Sequence, residues 1–127
     1  MLCRLEKEEG VSLMMESGKW KATNQSMEDY SDWLDTFTYL RDEAAVVALR
    51  PLDEVIEFHY LGNPDSTVKQ WIRSMKGLLE FVDVPICTYI TDKDKRLIDL
   101  LVKRFGFTSE YKGIDTAGGE KRYLLIR

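Results

Sequence analysis

Two side chains that can accept protons, Glu57 and His59, stand two residues apart in the short apolar segment 55–61. In a β-strand, side chains at this spacing point to the same side, so the carboxylate and the imidazole would lie together. A general base needs a pKa near the operating pH and must reach the proton that it removes. We predict that Glu57, or secondarily His59, is such a base, a role for which burial would have to raise the pKa of the Glu57 carboxyl. The alternative is that both side chains line the solvent-exposed side of a half-covered sheet.

The composition of the chain argues against several other kinds of site. The net charge of −4 is opposite in sign to the basic footprint of a nucleic-acid-binding protein. One histidine and two cysteines, Cys3 and Cys87, lack the number and spacing of metal ligands, and Cys87 is predicted to be a buried apolar residue. The chain has no apolar run of membrane-spanning length, and its first residues lack the basic-then-apolar order of a secretory signal, so we expect none. We therefore expect one domain, residues 1–127, in the cytoplasm, without a metal and without nucleic-acid or membrane partners.

The segment that carries Glu57 and His59 belongs to a β-rich middle region. The valine-containing run 44–50 precedes it, and residues 51–53 break the chain between the two runs. Two strands joined this closely are most simply an antiparallel pair. The side of the second strand opposite Glu57 is entirely apolar and is therefore predicted to pack on a layer of helices. Its residues are Ile56, Phe58 and Tyr60.

Two helices are indicated by their start signals. Thr67 and Gln70 form a capping-box pattern, and an apolar stripe follows them along one helical face. This helix must end before Pro85, because proline cannot continue it. Ser26 is a good N-cap for an earlier helix, whose end overlaps residues of strand-like composition at 36–40.

The C-terminal third contains a strand, a helix and a further pair of strands. Residues 86–90 are rich in isoleucine, and Thr91 or Asp92 is predicted to cap the helix that follows. Gly106 supplies a left-handed C-cap. The whole order is then β, α, α, β, β, β, α, β, α, β, β, which predicts an α/β fold with a mixed sheet flanked by helices.

The helix over residues 94–105 and the Gly106-Phe107 turn resemble the closing half of the GNAT family of N-acetyltransferases. The order of elements is similar to that family over nearly the whole chain. The resemblance implies a GNAT-like (acyl-CoA N-acyltransferase) fold and transfer of an acetyl group from acetyl-CoA to an amine. It also implies a carboxylate base on the strand that carries Glu57.

The same resemblance implies where acetyl-CoA would bind. In GNAT proteins the pantetheine arm lies where this strand splays from its neighbour, and the glycines of the next loop let backbone amides hold the pyrophosphate. The loop here has Gly62 at the strand end, Pro64 without an N–H group, and Asp65 where phosphate would lie. The implied cofactor-binding residues are those of the strand end and loop: Tyr60, Leu61, Gly62, Asn63, Ser66 and Thr67.

The last helix departs from the family as well. GNAT enzymes often have a tyrosine, five residues before the phenylalanine of the turn, that protonates the departing thiolate. In this chain that position is Val102, and the position of a preferred asparagine seven residues further upstream is Lys95. Tyr111, just beyond the turn, is the substitute acid that the sequence offers.

Two classes of function follow from these residues. One is an N-acetyltransferase that acts on an amine of a small molecule or of a protein. The other is a non-catalytic GNAT-like module, such as a phage or virion-associated protein, that has lost the pyrophosphate loop and binds a protein partner or a second copy of itself. Trp20, in the loose segment 17–25, could line an acceptor pocket or an interface, or could cover the core.

Overall fold

The computed structural model describes residues 2–17, 25–114 and 119–127. Its elements follow one another in the predicted order. They are strand β1 (Cys3–Leu5), helices α1 (Lys7–Glu16) and α2 (Met27–Leu34), strands β2 (Thr38–Arg41), β3 (Ala45–Pro51) and β4 (Ile56–Gly62), helix α3 (Val68–Phe81), strand β5 (Ile86–Thr91), a 3-10 turn (Asp92–Asp94), helix α4 (Lys95–Phe105), and strands β6 (Thr108–Ile114) and β7 (Lys121–Ile126). Trp20 lies outside the described residues.

The seven strands form one mixed sheet in the order β1-β2-β3-β4-β5-β7-β6. Strands β1 to β4 are antiparallel neighbours, and the predicted hairpin of β3 and β4 places Arg50 opposite Glu57. Strand β5 runs parallel to β4, because α3 carries the chain back across the sheet between them. Strands β7 and β6 close the other edge with antiparallel pairing. The prediction of a mixed α/β sheet is therefore confirmed.

Local sequence signals account for most helix ends. Thr67 accepts a hydrogen bond from the Gln70 backbone, and the Gln70 side chain accepts one from the Thr67 backbone, which completes the predicted capping box. Gly106 has φ of 72°, the left-handed conformation that glycine adopts without strain. The predicted cap of the last helix was wrong: a 3-10 turn follows Thr91, and α4 begins after Asp94, whose side chain makes no capping bond.

The sheet has a hydrophobic core on each face. On the face of Phe58, strand residues pack against α3 and α4, as predicted from the apolar side of β4. On the face of Glu57, strands β2 and β3 pack against α1 and α2, so that β3 is apolar on both sides. The first core contains Leu40, Val47, Leu49, Phe58, Met75, Leu78, Ile86, Ile90, Leu101, Phe105, Phe107 and Leu125. The second contains Met14, Tyr30, Leu34, Phe37, Tyr39, Val46 and Ala48.

Three further expectations concern what the fold contains. Cys87 is buried in β5, as predicted. Within residues 2–17, 25–114 and 119–127, none of the helices is both long and apolar enough to cross a bilayer. The same ranges contain no group of histidine, cysteine and carboxylate side chains that could hold a metal ion.

Candidate functional site

Glu57 stands at the centre of a cluster of three charged or polar side chains, which we call the charge cluster. One carboxylate oxygen accepts a hydrogen bond from the Arg50 guanidinium at 2.6 Å, and the other lies 2.6 Å from Nε2 of His59. The Glu57 side chain is only 8% exposed, whereas those of Arg50 and His59 are 27% and 28% exposed. The prediction that the two candidate bases lie together is therefore confirmed. The alternative of a solvent-exposed pair is wrong for Glu57.

The pKa of Glu57 moves in the opposite direction to the one that a role as general base would need. Burial does raise the pKa of this carboxyl, but the hydrogen bonds and positive charges of His59 and Arg50 outweigh that effect, and the net pKa lies below its ordinary value. Glu57 is consequently ionised at neutral pH. An ionised carboxylate can only accept hydrogen bonds, so Nε2 of His59 carries the proton and Nδ1 is the basic nitrogen.

Helix α2 and the turn that follows it cover the charge cluster with aromatic rings. Trp33 and Phe37 meet the His59 ring edge-on, with centroids 5.0 and 5.4 Å away. The Arg50 guanidinium lies over the same two rings, 4.8 Å from the centroid of Phe37. Sequence reasoning did not single out Arg50. The register of the β3–β4 hairpin would have found it, because opposite charges face each other across the two strands.

Tyr111 lies far from the charge cluster. It is 52% exposed on β6, and the sheet order places β5 and β7 between its strand and β4. Three strand spacings amount to roughly 14 Å. Its cross-strand partner Tyr123 also packs against the core on the Phe58 face, which is the opposite side of the sheet from His59. The structure therefore does not bring Tyr111 together with Glu57 and His59.

Strands β4 and β5 part shortly after they begin. Their pairing covers two positions, Ile56 with Ile86 and Glu57 with Cys87, although each strand continues for several residues. Glu57 is thus the residue of β4 at which the two strands separate. The gap opens toward the C-terminal ends of both strands, on the far side of Glu57 from Ile56.

A cleft of about 880 Å³ lies beyond this point, between the end of β4 and helix α4. Four of the six predicted cofactor-binding residues line it: Tyr60, Leu61, Gly62 and Ser66. Asn63 and Thr67 are not among its lining residues. The opposite wall carries five cationic side chains against two carboxylates, and these seven residues are Lys93, Asp94, Lys95, Arg96, Asp99, Lys103 and Arg104.

Two aromatic side chains near the C-terminal end of β4 pack on each other. The rings of Tyr60 and Trp71 meet edge to face with centroids 6.1 Å apart, and the Trp71 indole N–H donates to the Ser66 hydroxyl. Burial raises the pKa of Tyr60 to about 12, although a hydrogen bond with Ser74 opposes this effect. Tyr60 is therefore a neutral phenol at physiological pH.

Solved structures resemble the chain over its full length despite low sequence identity. A GNAT-family protein from Bacteroides thetaiotaomicron aligns with a TM-score of 0.70 at 18% identity, over 100% of this chain and 86% of that chain. An N-acetyltransferase from Escherichia coli acts on an alanine of a ribosomal protein. It aligns with a TM-score of 0.68 at 13% identity, over 99% of this chain and 91% of that chain. An acyl-CoA N-acyltransferase from Pseudomonas aeruginosa aligns with a TM-score of 0.63 at 14% identity, over 100% of this chain and 99% of that chain.

The chain has the GNAT fold. The predicted fold is therefore confirmed, while no protein-family model and no curated protein sequence matches the chain. The resemblance to GNAT proteins implies that the pantetheine arm of acyl-CoA lies where this strand parts from its neighbour, and β4 and β5 do part beyond Glu57. The β4–α3 loop does not fit the pyrophosphate in the family's manner, because its backbone donors already have partners within the loop and its flanking elements.

Glu57→Gln is expected to lower the free energy of unfolding by about 2 kcal/mol at neutral pH, because the amide cannot accept from both Arg50 and His59. The folded-state pKa of Glu57 lies below the ordinary value of 4.5, so its ionic contribution is fully present above that pH. It is lost as the pH falls through the folded-state pKa. Urea unfolding of both proteins should give a difference that is present at about pH 5 and shrinks as the buffer is made more acidic. A difference that does not shrink in the more acidic buffers would contradict the assignment.

Proposed function

We propose that this GNAT-fold protein is an acyl-CoA-dependent N-acyltransferase, with acetyl-CoA as the first donor to test. The observation that carries this proposal is the parting of β4 and β5 at Glu57. Because of it, one strand contributes both the charge cluster, through Glu57 and His59, and the wall of the cleft, through residues 60–62. A donor in the gap and an amine next to His59 would then meet at one place.

His59 is the general base in this proposal, and Glu57 is the residue that positions it. Both oxygens of Glu57 are already engaged, by Arg50 and by His59, so this carboxylate is poorly placed to take another proton. His59 is more exposed and keeps Nδ1 as an acceptor. Acyl-CoA, when bound, supplies an acyl group activated as a thioester. As the amide bond forms, the carbon–sulfur bond of the thioester would break, and CoA would leave as a thiolate that takes a proton from water. His59 would accept at Nδ1 the proton that the amine nitrogen loses, and the ionised Glu57 would stabilise the resulting imidazolium.

The acceptor is an amine of a protein or of a small molecule. The Escherichia coli protein with this fold acts on an alanine of a ribosomal protein, which supports testing peptide amino termini first. The half-exposed His59 and Arg50 lie beneath Trp33 and Phe37, so an acceptor reaches the base beside an aromatic surface. Arg50 is cationic and disfavours an acceptor with further positive charge next to the amine.

A non-catalytic interaction module is the second candidate, and the β4–α3 loop favours it. Asn63 accepts hydrogen bonds from the backbone N–H groups of Asp65 and Ser66, and Gln70 accepts one from that of Thr67. These N–H groups are therefore not available to bind a pyrophosphate. A protein that has given up donor binding would keep the fold and use its surface for a protein partner or a second copy.

Saturating acetyl-CoA is expected to raise the midpoint of thermal unfolding by several degrees. A ligand at about 100 times its dissociation constant stabilises the folded state by roughly 2.7 kcal/mol, which corresponds to that shift for a domain of this length. Desulfo-CoA should give a similar rise, because it retains the pantetheine arm and the phosphates. ADP should give a smaller one, because it lacks the arm. A midpoint unchanged by acetyl-CoA and by desulfo-CoA would exclude the transferase and leave the interaction module.

A further inference from the structure

We infer that Arg96 and Lys103 of α4 hold the phosphate groups of the donor through their side chains, in place of the backbone amides of the β4–α3 loop. The inference rests on the proposed function and adds to it the residues that recognise the anionic part of the ligand. Three features of the structure support it: the loop amides, the position of Trp71, and the charged face of α4.

The backbone amides of the β4–α3 loop are already bonded. The Asn63 N–H donates to the Ala44 carbonyl at 2.7 Å, and the Ser66 N–H donates to the Asn63 carbonyl at 3.0 Å. The Asp65 N–H donates to the Asn63 side chain at 3.0 Å. The remaining residues, Pro64 and Thr67, offer no donor either, because proline has none and the Thr67 N–H is taken by Gln70 at 2.8 Å. An anion at the loop would have to displace these bonds.

Trp71 blocks the approach to the one glycine of this loop region. A Cβ added at Gly62 would lie 2.7 Å from Cζ2 of the indole, so the ring rests directly on the Gly62 backbone. The hydrogen bond from its N–H group to Ser66 holds the ring in this position. The Ser66 hydroxyl in turn donates to the Asn63 carbonyl at 2.6 Å. A phosphate that approached Gly62 from the side of the indole would have to displace this packed unit.

Helix α4 presents cations to the same cleft from the other side. Arg96, Leu100 and Lys103 are spaced by four and three residues, which places them along one face of the helix, and all three line the cleft. Neither Arg96 nor Lys103 takes part in an ion pair with the part of the chain that the structure describes. Leu100 lies between them and extends the apolar floor formed with Leu97.

This arrangement suits a ligand with an apolar arm and several phosphates. A guanidinium can bind a phosphate with two parallel hydrogen bonds, and an ammonium adds a compact positive charge. The five cations outnumber the two carboxylates of this wall, so the cleft attracts an anion although the whole chain is acidic. Two side chains seven residues apart on one helix are separated by about 10 Å, which lets them contact different phosphates of one ligand.

The test is the affinity for CoA, measured by isothermal titration calorimetry, of the full chain and of two double variants. Arg96→Gln with Lys103→Gln should weaken CoA binding by about 10- to 100-fold, because bonds to charged groups are lost. The control is Lys7→Gln with Lys76→Gln, which changes the net charge equally at exposed positions outside the cleft. The control should bind CoA as the unaltered chain does. Raising the salt concentration should weaken binding to the unaltered chain more than binding to the α4 variant.

The outcomes separate this inference from the proposed function. Selective weakening by the α4 substitutions, with a reduced salt dependence, supports the inference. If CoA binds the unaltered chain and both double variants equally well, the inference is overturned while the proposed function stands. If CoA does not bind the unaltered chain at all, both are overturned. Circular dichroism of each variant shows whether α4 is intact, and neither position is buried.

Discussion

His59→Gln is expected to lower the turnover of an amine acceptor by about 100- to 10,000-fold, the usual contribution of a general base. Glutamine keeps a side-chain N–H group that can donate to Glu57, as Nε2 of His59 does, but it has no basic nitrogen to accept a proton from the amine. The affinity for CoA should change little, because His59 is not among the residues that line the cleft.

Steady-state kinetics with acetyl-CoA and a peptide amine would measure this effect. The pH profile should lose its acidic limb in the variant, the limb on which the rate rises with pH as a general base loses its proton, whereas a purely structural defect would lower the rate at every pH equally. Tyr111→Phe serves as the matched comparison, because Tyr111 lies on the opposite face of the sheet and three strands away. Full turnover in His59→Gln would remove this histidine as the base, and a large loss in Tyr111→Phe would make that tyrosine the acid.

Gly10→Ala is expected to destabilise the fold by about 2 kcal/mol, despite the better helix propensity of alanine. Helix α1 crosses strand β2 at this point, and an added Cβ would lie 2.6 Å from Cδ1 and 2.8 Å from Cβ of Tyr39, closer still to its Cγ. Tyr39 cannot move aside easily. It is 1% exposed, and its hydroxyl donates to the Leu34 carbonyl at 2.7 Å.

Gly77→Ala is the matched control, because it makes the same change inside another helix. Apart from its chain neighbours and the backbone of its own helix, no atom lies within 4 Å of a Cβ added at Gly77 in α3. This substitution should therefore stabilise the protein by roughly 0.5–1 kcal/mol, through reduced entropy of the unfolded chain and better helix propensity. Chemical denaturation of the two variants should give shifts of opposite sign. A shift of the same sign in both would show that Gly10 is not the contact between α1 and β2.

The two glycines illustrate what a sequence does not contain. Both lie within helical sequence, and no local pattern separates the one that must be glycine from the one that need not be. The difference lies in what packs against each helix, and Tyr39 is 29 positions away from Gly10 in the chain. Contacts of this kind depend on the crossing of elements, so propensity and periodicity cannot predict them.

The charge cluster was partly predictable. The strand period placed Glu57 and His59 on one side of β4, and the structure confirms it. The raised pKa that Glu57 would need as a general base is not found, because His59 and Arg50 lower it. Burial alone raises the pKa of a carboxyl, but two charged donors at hydrogen-bond distance reverse the sign. Arg50 lies opposite Glu57 because of the register of the β3–β4 hairpin, and that register depends on where the turn residues place the two strands.

The sequence by itself determined the order of the elements, the capping box of α3, the left-handed end of α4 and the apolar side of β4 that packs on a layer of helices. Those features depend on residues close together in the chain, on hydrophobic period and on the special conformations of glycine and proline. Only the tertiary structure decided three other features. Strand β4 parts from β5, the loop amides already have hydrogen-bond partners, and cations line the opposite wall of the cleft. Each of these features involves residues from elements that are distant in sequence. The distances between those residues, and which backbone groups are left without a hydrogen-bond partner, are set only when the sheet and its helices have packed.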